Sequence, residues 1–515
     1  MEEKNPKHLV WLPFVIGLSA SIGMYAGYKL QLPKSSKRVQ IESQTNSSKG
    51  NQKLYDVLAY LESKYIDTLN ESEYSDFLIQ NLCYAIDPYT EYLKKSDLVN
   101  LRDDIDGIYT GAGLGFKIIN SQAYISSLIP DGPAINSGIE TGDVVKEINK
   151  QVLLSTNTHL DSVIQLVRSN PEKLLLKVQR KNQPEEINFE ITKKDLSNKS
   201  IGATMQLDET SFYIKINRFS ERTYREFMMA VEEFVQKKKL KNMVIDLRNN
   251  SGGLLDASAD LLNQLIQEPK MTMFSTQDRD RKEKKYETTG KPFFRYGKIF
   301  VIVNKNSASA SEVLAGSLQD LSKATIVGEQ SFGKGTVLEL FPLSDGSSLE
   351  LATSRIFLPS GRCIQKSYDF NSDSTLNWLS PFQSDTMNVK YGNQSLASGK
   401  GIIPDIELQN AIQAPDVKIT SIADEFVIQN FQEFKSFREK KNSETLIETF
   451  ILKYLINSSN DKFIIKNKDL ILEEVRHKLT HYFISSEQEE IDRLQKDPWI
   501  IQVKELIRAA NTKMK

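Results

Sequence analysis

Hydrophobic positions change their spacing several times along this chain, and each change marks a different kind of structure. From 9 to 30 the residues are apolar or small, with Lys29 the only charge. That length suits one membrane-spanning helix of roughly 20 residues. A cleaved signal peptide is the rival reading. Leu18-Ser19-Ala20 is a poor cleavage site for one, so an uncleaved anchor over 1–30 is expected. Residues 31–52 are rich in Ser, Gln, Asn and Lys and read as a flexible tether. Leu54, Leu58 and Leu61 then share one helical face, which predicts a helical N-terminal region over 53–104, interrupted by a turn at Asp87-Pro88-Tyr89-Thr90.

Past residue 105 the apolar runs become short and β-branched. Gly113-Leu114-Gly115-Phe116 leads into a strand at Lys117-Ile118-Ile119. A helix from Leu160 to Arg168 and a strand at Leu174-Leu175-Leu176-Lys177-Val178 follow. Further on, the strand Phe212 to Ile216, the helix Tyr224 to Lys239 and the strand Met243 to Arg248 form a βαβ pattern, which implies a parallel sheet. The run Ile299-Phe300-Val301-Ile302-Val303 does not alternate and reads as a strand buried on both faces. More strands are predicted at Thr336 to Leu340 and Ser348 to Leu358, then a polar, low-order insert at 367–398. From about 410 the period is helical again, with Ala423, Val427, Phe431 and Phe434 on one face and Leu472, Val475 and Leu479 on another.

Composition narrows the chemistry. The formal net charge of −1 over 515 residues gives no electrostatic case for nucleic acid. Cys83 and Cys363 lie far apart, so no disulfide framework or cysteine metal site is implied. No metal or cofactor is called for. None of the four histidines, His8, His159, His477 and His481, lies near the serine cluster that follows Val303, so serine chemistry here needs another base. That cluster, Ser307-Ala308-Ser309-Ala310-Ser311-Glu312, stands at a strand-to-helix turn. Free N–H groups and a helix dipole at such a turn can hold a developing oxyanion beside a nucleophilic hydroxyl. The plainer reading is an N-cap, with Ser311 as the cap and Glu312 in the first turn. Gly328-x4-Gly333-Lys334 nearly spells a phosphate loop. It is followed by Gly335 rather than Ser or Thr and leads into a strand, so nucleotide binding is rejected.

Two resemblances connect these segments. The Gly113-Leu114-Gly115-Phe116 loop, Ser137-Gly138-Ile139-Glu140-Thr141-Gly142-Asp143 and the flanking strands resemble a PDZ domain. Loop N–H groups there can take a terminal carboxylate, and the strand edge can pair with an extended peptide. The serine cluster, Phe332-Gly333-Lys334-Gly335 and Asp246-Leu247-Arg248-Asn249-Asn250-x-Gly252-Gly253 resemble the nucleophile, lysine and oxyanion segments of the carboxyl-terminal processing proteases, peptidase family S41. Asp87-Pro88 and Gly401-Ile402-x-Pro404-Asp405 match that family's flanking motifs, so the resemblance spans roughly 55–408.

The resemblance implies that Ser309 is the nucleophile and Lys334 the general base. It gives Gly252 and Ala310 as oxyanion donors, Arg168 as a residue coupling peptide occupancy to the active site, and Asp320 as structural. A lysine serves as a base near neutral pH only if burial lowers its pKa, and Phe332, Val337 and Leu338 are apolar neighbours that can do so. Three departures stand out: Ser251 where proline is common, Lys323 where arginine is common, and Leu338 where a glutamine usually orients the lysine. Leucine makes no hydrogen bond, and Glu339 should face the other side of the strand. Gln365 and Glu329 are the conceivable substitutes. The alternative to an active protease is therefore a weak or inactive relative that acts as a PDZ peptide-binding scaffold. Arg168 also reads simply as a solvated cation at a helix end.

The expected fold is multidomain α/β: anchor at 1–30, tether at 31–52, helical region at 53–104, PDZ domain at 105–195, protease core with a βαβ sheet at 196–408, and helical C-terminal region at 409–515. Expected partners are proteins or peptides with exposed C-termini, the membrane through the N-terminal helix, and a second copy through the helical C-terminal region. Lys34, Lys37 and Arg38 after the span lean toward a cytoplasmic C-terminal side. The family resemblance implies instead that 31–515 lie in the periplasm or outside the cell.

Overall fold

The computed structural model describes residues 49–130, 132–153, 158–237, 239–368, 388–409, 416–440, 443–456, 459 and 461–512. The predicted span at 9–30 and nearly all of the tether lie outside them. Among the described residues no helix is long and apolar enough to cross a membrane. The chain divides into two compact units, one ending at Phe77 and one beginning at Leu78. In the first, Tyr74 Oη donates to Glu62 at 2.9 Å, joining the helix Lys49–Lys64 to the start of the helix Glu71–Ile86. The helical N-terminal region is not purely helical: it also contains the strand Glu91–Leu93, which pairs antiparallel with Ser348–Phe357.

In the second unit, residues 114–192 form an antiparallel sheet around Ile125, Ile148, Leu174 and Val178, with Val163 of the helix Leu160–Arg168 packed into the same core. The strand Leu114–Ile119 is the edge of that sheet. Its Lys117 binds Asp424 of the helix Val417–Gln429 at 2.6 Å, and Asp424 also accepts from Tyr482 Oη at 2.5 Å. This strand is thereby tied to the C-terminal helices. Those helices bury Ala423, Val427, Phe434 and Val475, while Phe431 stacks on Phe483 at 4.6 Å.

The central sheet runs Ile201–Asp208, Ser211–Ile216, Asn242–Asp246, Lys298–Val303, Ala324–Gly328, Ile406–Glu407, parallel from the second strand on. Alternate residues along each strand enter two different cores. Ile214, Met243, Ile245, Val301 and Val303 face the helices Thr223–Lys237, Leu255–Leu265 and Ala310–Asp320. Tyr213, Val244, Phe300 and Ile302 face Trp499, Ile500 and Val503 of the helix Pro498–Thr512. Burial on both faces is why these strands show no polar alternation in sequence. Beyond the sheet, Thr336–Pro342 pairs with Ser348–Phe357, and the far end of the predicted low-order insert is a hairpin of Asn388–Tyr391 with Gln394–Ala397.

A buried charge network fastens the C-terminal helix to the central strands. Arg248 donates from Nη2 to Asp246 Oδ2 and from Nη1 to Asp497 Oδ2, both at 2.6 Å, and its guanidinium lies 5.5 Å from the Trp499 ring. Tyr213 Oη donates to the same Asp246 carboxylate at 2.7 Å. Trp499→Ala is expected to cost about 3–5 kcal/mol by opening a cavity in this layer. Urea unfolding checks this; a loss under about 1 kcal/mol contradicts the layer's role.

Candidate active site

The site forms where the parallel strands end, the usual place for sites in such sheets. The strand Lys298–Val303 turns through 304–309 into the helix Ala310–Asp320. Ser309, not Ser311, occupies the N-cap, which corrects the cap reading made from the sequence. The flanking hydroxyls explain the shift. Ser307 Oγ donates to Leu247 O at 2.8 Å and Ser311 Oγ to Asn250 O at 2.9 Å, so both pin the turn to the loop after Asp246. Ser309 is left between them at φ 53 and ψ −117. A non-glycine residue held at such angles carries on the order of 1–3 kcal/mol of strain and persists only where its surroundings over-determine it.

The Gly252-Gly253 turn abuts the serine. A Cβ on Gly252 would lie 2.8 Å from Ser309 Cβ and 3.1 Å from Ala310 N, and one on Gly253 would lie 2.1 Å from Phe219 O. With φ at +107 and +133, both positions require glycine. Ala310 is the first residue of the helix, so its N–H stands beside Ser309 at the positive end of the dipole. The Gly252 N–H donates to Asn250 Oδ1 at 2.8 Å.

Lys334 arrives on the loop between Ala324–Gly328 and Thr336–Pro342, and one side chain draws this loop to the serine turn. The buried Glu312 carboxylate accepts from Ser309 N at 2.9 Å, Gly333 N at 2.7 Å, Lys334 N at 2.8 Å and Ser331 Oγ at 2.5 Å. Phe332 N adds a bond to Ser307 O at 3.0 Å. Burial pushes the Glu312 carboxyl up to about 7, against the four hydrogen bonds that favour its charged form. Burial also lowers the Lys334 pKa, opposed by the carboxylates of Glu350, Asp87 and Glu312. Among the described residues Lys334 Nζ makes no hydrogen bond to Ser309; it lies over the Tyr89 ring, 5.2 Å from the centroid.

The residues singled out from the sequence thus divide. Ser309, Gly252 and Ala310 are in contact, and the Lys334 backbone is joined to them through Glu312. Leu338 is partly buried on the strand after Lys334, at a bulge in its pairing, and Glu339 and Glu329 are exposed. Gln365 does not point its amide at Lys334. Its Oε1 accepts from Gly335 N at 2.8 Å and its Nε2 donates to Tyr89 Oη at 3.0 Å. Of the predicted loop Gly113 to Phe116, Leu114, Gly115 and Phe116 already belong to the edge strand of the other sheet, and Gly113 before it passes so close to Gly132 that a Cβ would meet its Cα at 2.8 Å. Arg168 is exposed at the end of its helix, within electrostatic reach of Asp103 and Lys193. Asp320 pairs with buried Arg362 at 2.8 Å. Glu312, Asn250 and Tyr89 were not recognised from the sequence. The one available signal was a glutamate three residues after a serine, which reads as an ordinary capping box.

Glu312→Gln leaves buried N–H donors unsatisfied, at about 1–3 kcal/mol each, and misplaces Ser309 relative to Lys334. A loss of kcat on the order of 100-fold is expected. The wild-type carboxyl, raised from 4.5 to about 7 in the fold, binds a proton more tightly folded than unfolded across that window. Its linkage therefore lowers wild-type stability as pH rises from 5 to 7, and the glutamine variant lacks this slope. Urea midpoints of both proteins at pH 5 and pH 8 test it; an unchanged gap between them at the two pH values excludes the linkage.

Residues 211–373 match the model of peptidase family S41, and residues 124–180 match that of the PDZ domain. A carboxy-terminal-processing protease of Bartonella bacilliformis is 28% identical over 332 residues, which cover 64% of this chain and 75% of that one. The carboxy-terminal processing protease CtpB of Bacillus subtilis is 27% identical over 356 residues, 68% of this chain and 73% of that one. Among solved structures, a photosystem II D1 C-terminal processing protease aligns at 22% identity and a TM-score of 0.38, over 72% of this chain and 90% of that one. The two matched segments follow the order that the motifs had given them: residues 124–180 match a PDZ domain and residues 211–373 match peptidase family S41, and the chain is similar to carboxy-terminal processing proteases along most of those relatives' length.

Proposed function

We propose that the chain is a serine endopeptidase with a Ser309–Lys334 dyad, and that its PDZ domain captures substrates by their apolar C-terminal tails. The observation that carries this reading is the Glu312 carboxylate, which accepts from the backbone of both Ser309 and Lys334. It has no reason to join these two loops in a protein that only binds peptides. Ser309 Oγ attacks the scissile carbonyl carbon and gives its proton to Lys334 Nζ. The N–H groups of Gly252 and Ala310 hold the resulting oxyanion. Collapse breaks the C–N bond, the leaving amine takes the proton from Lys334, and water releases the acyl group by the reverse path. The lysine must be neutral to begin, so its depressed pKa favours the reaction.

The PDZ edge strand Leu114–Ile119 and the loop before it supply the strand-addition surface that tail capture needs. Arg168 is assigned the coupling role, and the C-terminal helices a role in homodimerisation. The segment 9–30 is assigned as a membrane anchor with the rest of the chain outside the cytoplasm. A reporter fused after residue 60 is expected to work only outside the cytoplasm, and one working only inside refutes that placement.

The catalytic reading is tested on an unstructured substrate with an apolar tail. Ser309→Ala and Lys334→Ala should each lower cleavage by at least about 1,000-fold. Equal cleavage by all three proteins ends the dyad reading. Tight tail binding by a wild type that cleaves nothing establishes the scaffold reading that Leu338 favours.

A further inference from the structure

We propose that Tyr89, held in place by Gln365, is the positioning residue for Lys334, and that it does the work of the amide missing at Leu338. The inference rests on the Ser309–Lys334 reading. It starts from the turn Asp87-Pro88-Tyr89-Thr90, whose backbone is unusually well fixed. The buried Asp87 carboxylate accepts from Tyr89 N at 2.7 Å, Thr90 N at 2.7 Å and Thr90 Oγ1 at 2.6 Å. The next residues form the strand that pairs with Ser348–Phe357, so the turn is docked onto the same sheet that carries Leu338.

The ring itself is fixed at both ends. Its hydroxyl accepts from Gln365 Nε2 at 3.0 Å, and its ring packs on that of Tyr368 in a T-shaped contact with the centroids 6.1 Å apart. Gln365 is fully buried and takes the N–H of Gly335, the residue after the lysine, at 2.8 Å. A closed circuit results: Lys334 to Gly335 by the chain, Gly335 to Gln365 and Gln365 to Tyr89 by hydrogen bonds, and the Tyr89 face to Lys334 Nζ at 5.2 Å. An aromatic face within about 6 Å attracts an ammonium and limits where it can go. It offers no acceptor lone pair in line with the nitrogen. It can therefore hold the lysine while leaving its donors and, after deprotonation, its lone pair for Ser309. The carboxylates acting on Lys334 from neighbouring elements are Glu350, Asp87 and Glu312. Asp87 and Glu312 are already engaged by the hydrogen bonds described, and Glu350 sits half-buried on the strand opposite Leu340.

Four variants test this on the full chain. Tyr89→Phe keeps the face but loses the Gln365 bond that fixes it, so it should fall measurably below wild type while retaining at least about 5-fold more activity than Tyr89→Leu. Tyr89→Leu should lose on the order of 30- to 100-fold in kcat with KM unchanged. Leu338→Gln alone should change kcat by less than about 3-fold, because the lysine already has its support. Leu338→Gln added to Tyr89→Leu should recover at least about 10-fold. Wild-type activity in Tyr89→Leu, a large gain from Leu338→Gln alone, or no recovery in the double variant overturns the proposal. A second readout does not depend on proteolysis: the pH dependence of Lys334 acylation by an amine-directed reagent, followed by mass spectrometry. Its midpoint should fall in Tyr89→Leu and hold in Tyr89→Phe, since an aromatic face favours the charged amine. If no protein cleaves substrate but the midpoints move in this way, the dyad reading fails while the Tyr89 contact stands; unmoved midpoints remove the contact.

Discussion

One buried carboxylate holds the reactive parts together. Glu312 gathers donors from the serine turn, from Ser331 and from the two residues that lead into Lys334's side chain. The serine turn and the loop carrying Ser331, Gly333 and Lys334 are two different connections of the central sheet, and each brings backbone N–H groups that need an acceptor once buried. A single acceptor with two oxygens satisfies them and in doing so sets the distance between the loops. The cost is a carboxyl held in a dry site, visible as its rise to about 7. Stability and geometry pull against each other here, as they often do where chemistry is done.

The remainder of the frame keeps that acceptor where it is. The parallel strands are packed on both faces, so their ends cannot slide without disturbing two cores. On one side Arg248 carries the constraint outward through Asp497 to the helix that follows it. On the other, the turn before the strand Glu91–Leu93 reaches Lys334 through Tyr89. Residues distant in the chain thus bear on the site by rigid contacts and not by touching substrate.

Legibility in sequence followed the kind of atom involved. Ser309, Lys334 and the Gly252-Gly253 turn were legible because side-chain chemistry, or the lack of a Cβ, is written in residue identity. The strands were legible because double burial forces β-branched runs such as Ile299 to Val303. Glu312 was not, because most of its partners are backbone N–H groups, which every residue but proline has. The N-cap fell two residues from its expected place because three alternating serines look alike in sequence. Only the tertiary acceptors Leu247 O and Asn250 O tell them apart. Tyr89 read as a turn residue, since its partners Gln365 and Lys334 lie on loops far along the chain.

Asn250 gives the site one more property. Its side-chain oxygen already holds the Gly252 N–H at 2.8 Å. In the mechanism proposed above, a neutral carbonyl arriving at Ser309 must compete with an internal amide that is already in position, and an exchange of one neutral acceptor for another gains little. A carbonyl oxygen that has taken on negative charge wins the exchange, because charge-assisted hydrogen bonds are roughly twice as strong. Under the proposed mechanism this internal acceptor would act as a threshold, withholding the donor from the ground state and yielding it to the tetrahedral adduct, so that a filled hydrogen bond becomes selectivity for the transition state.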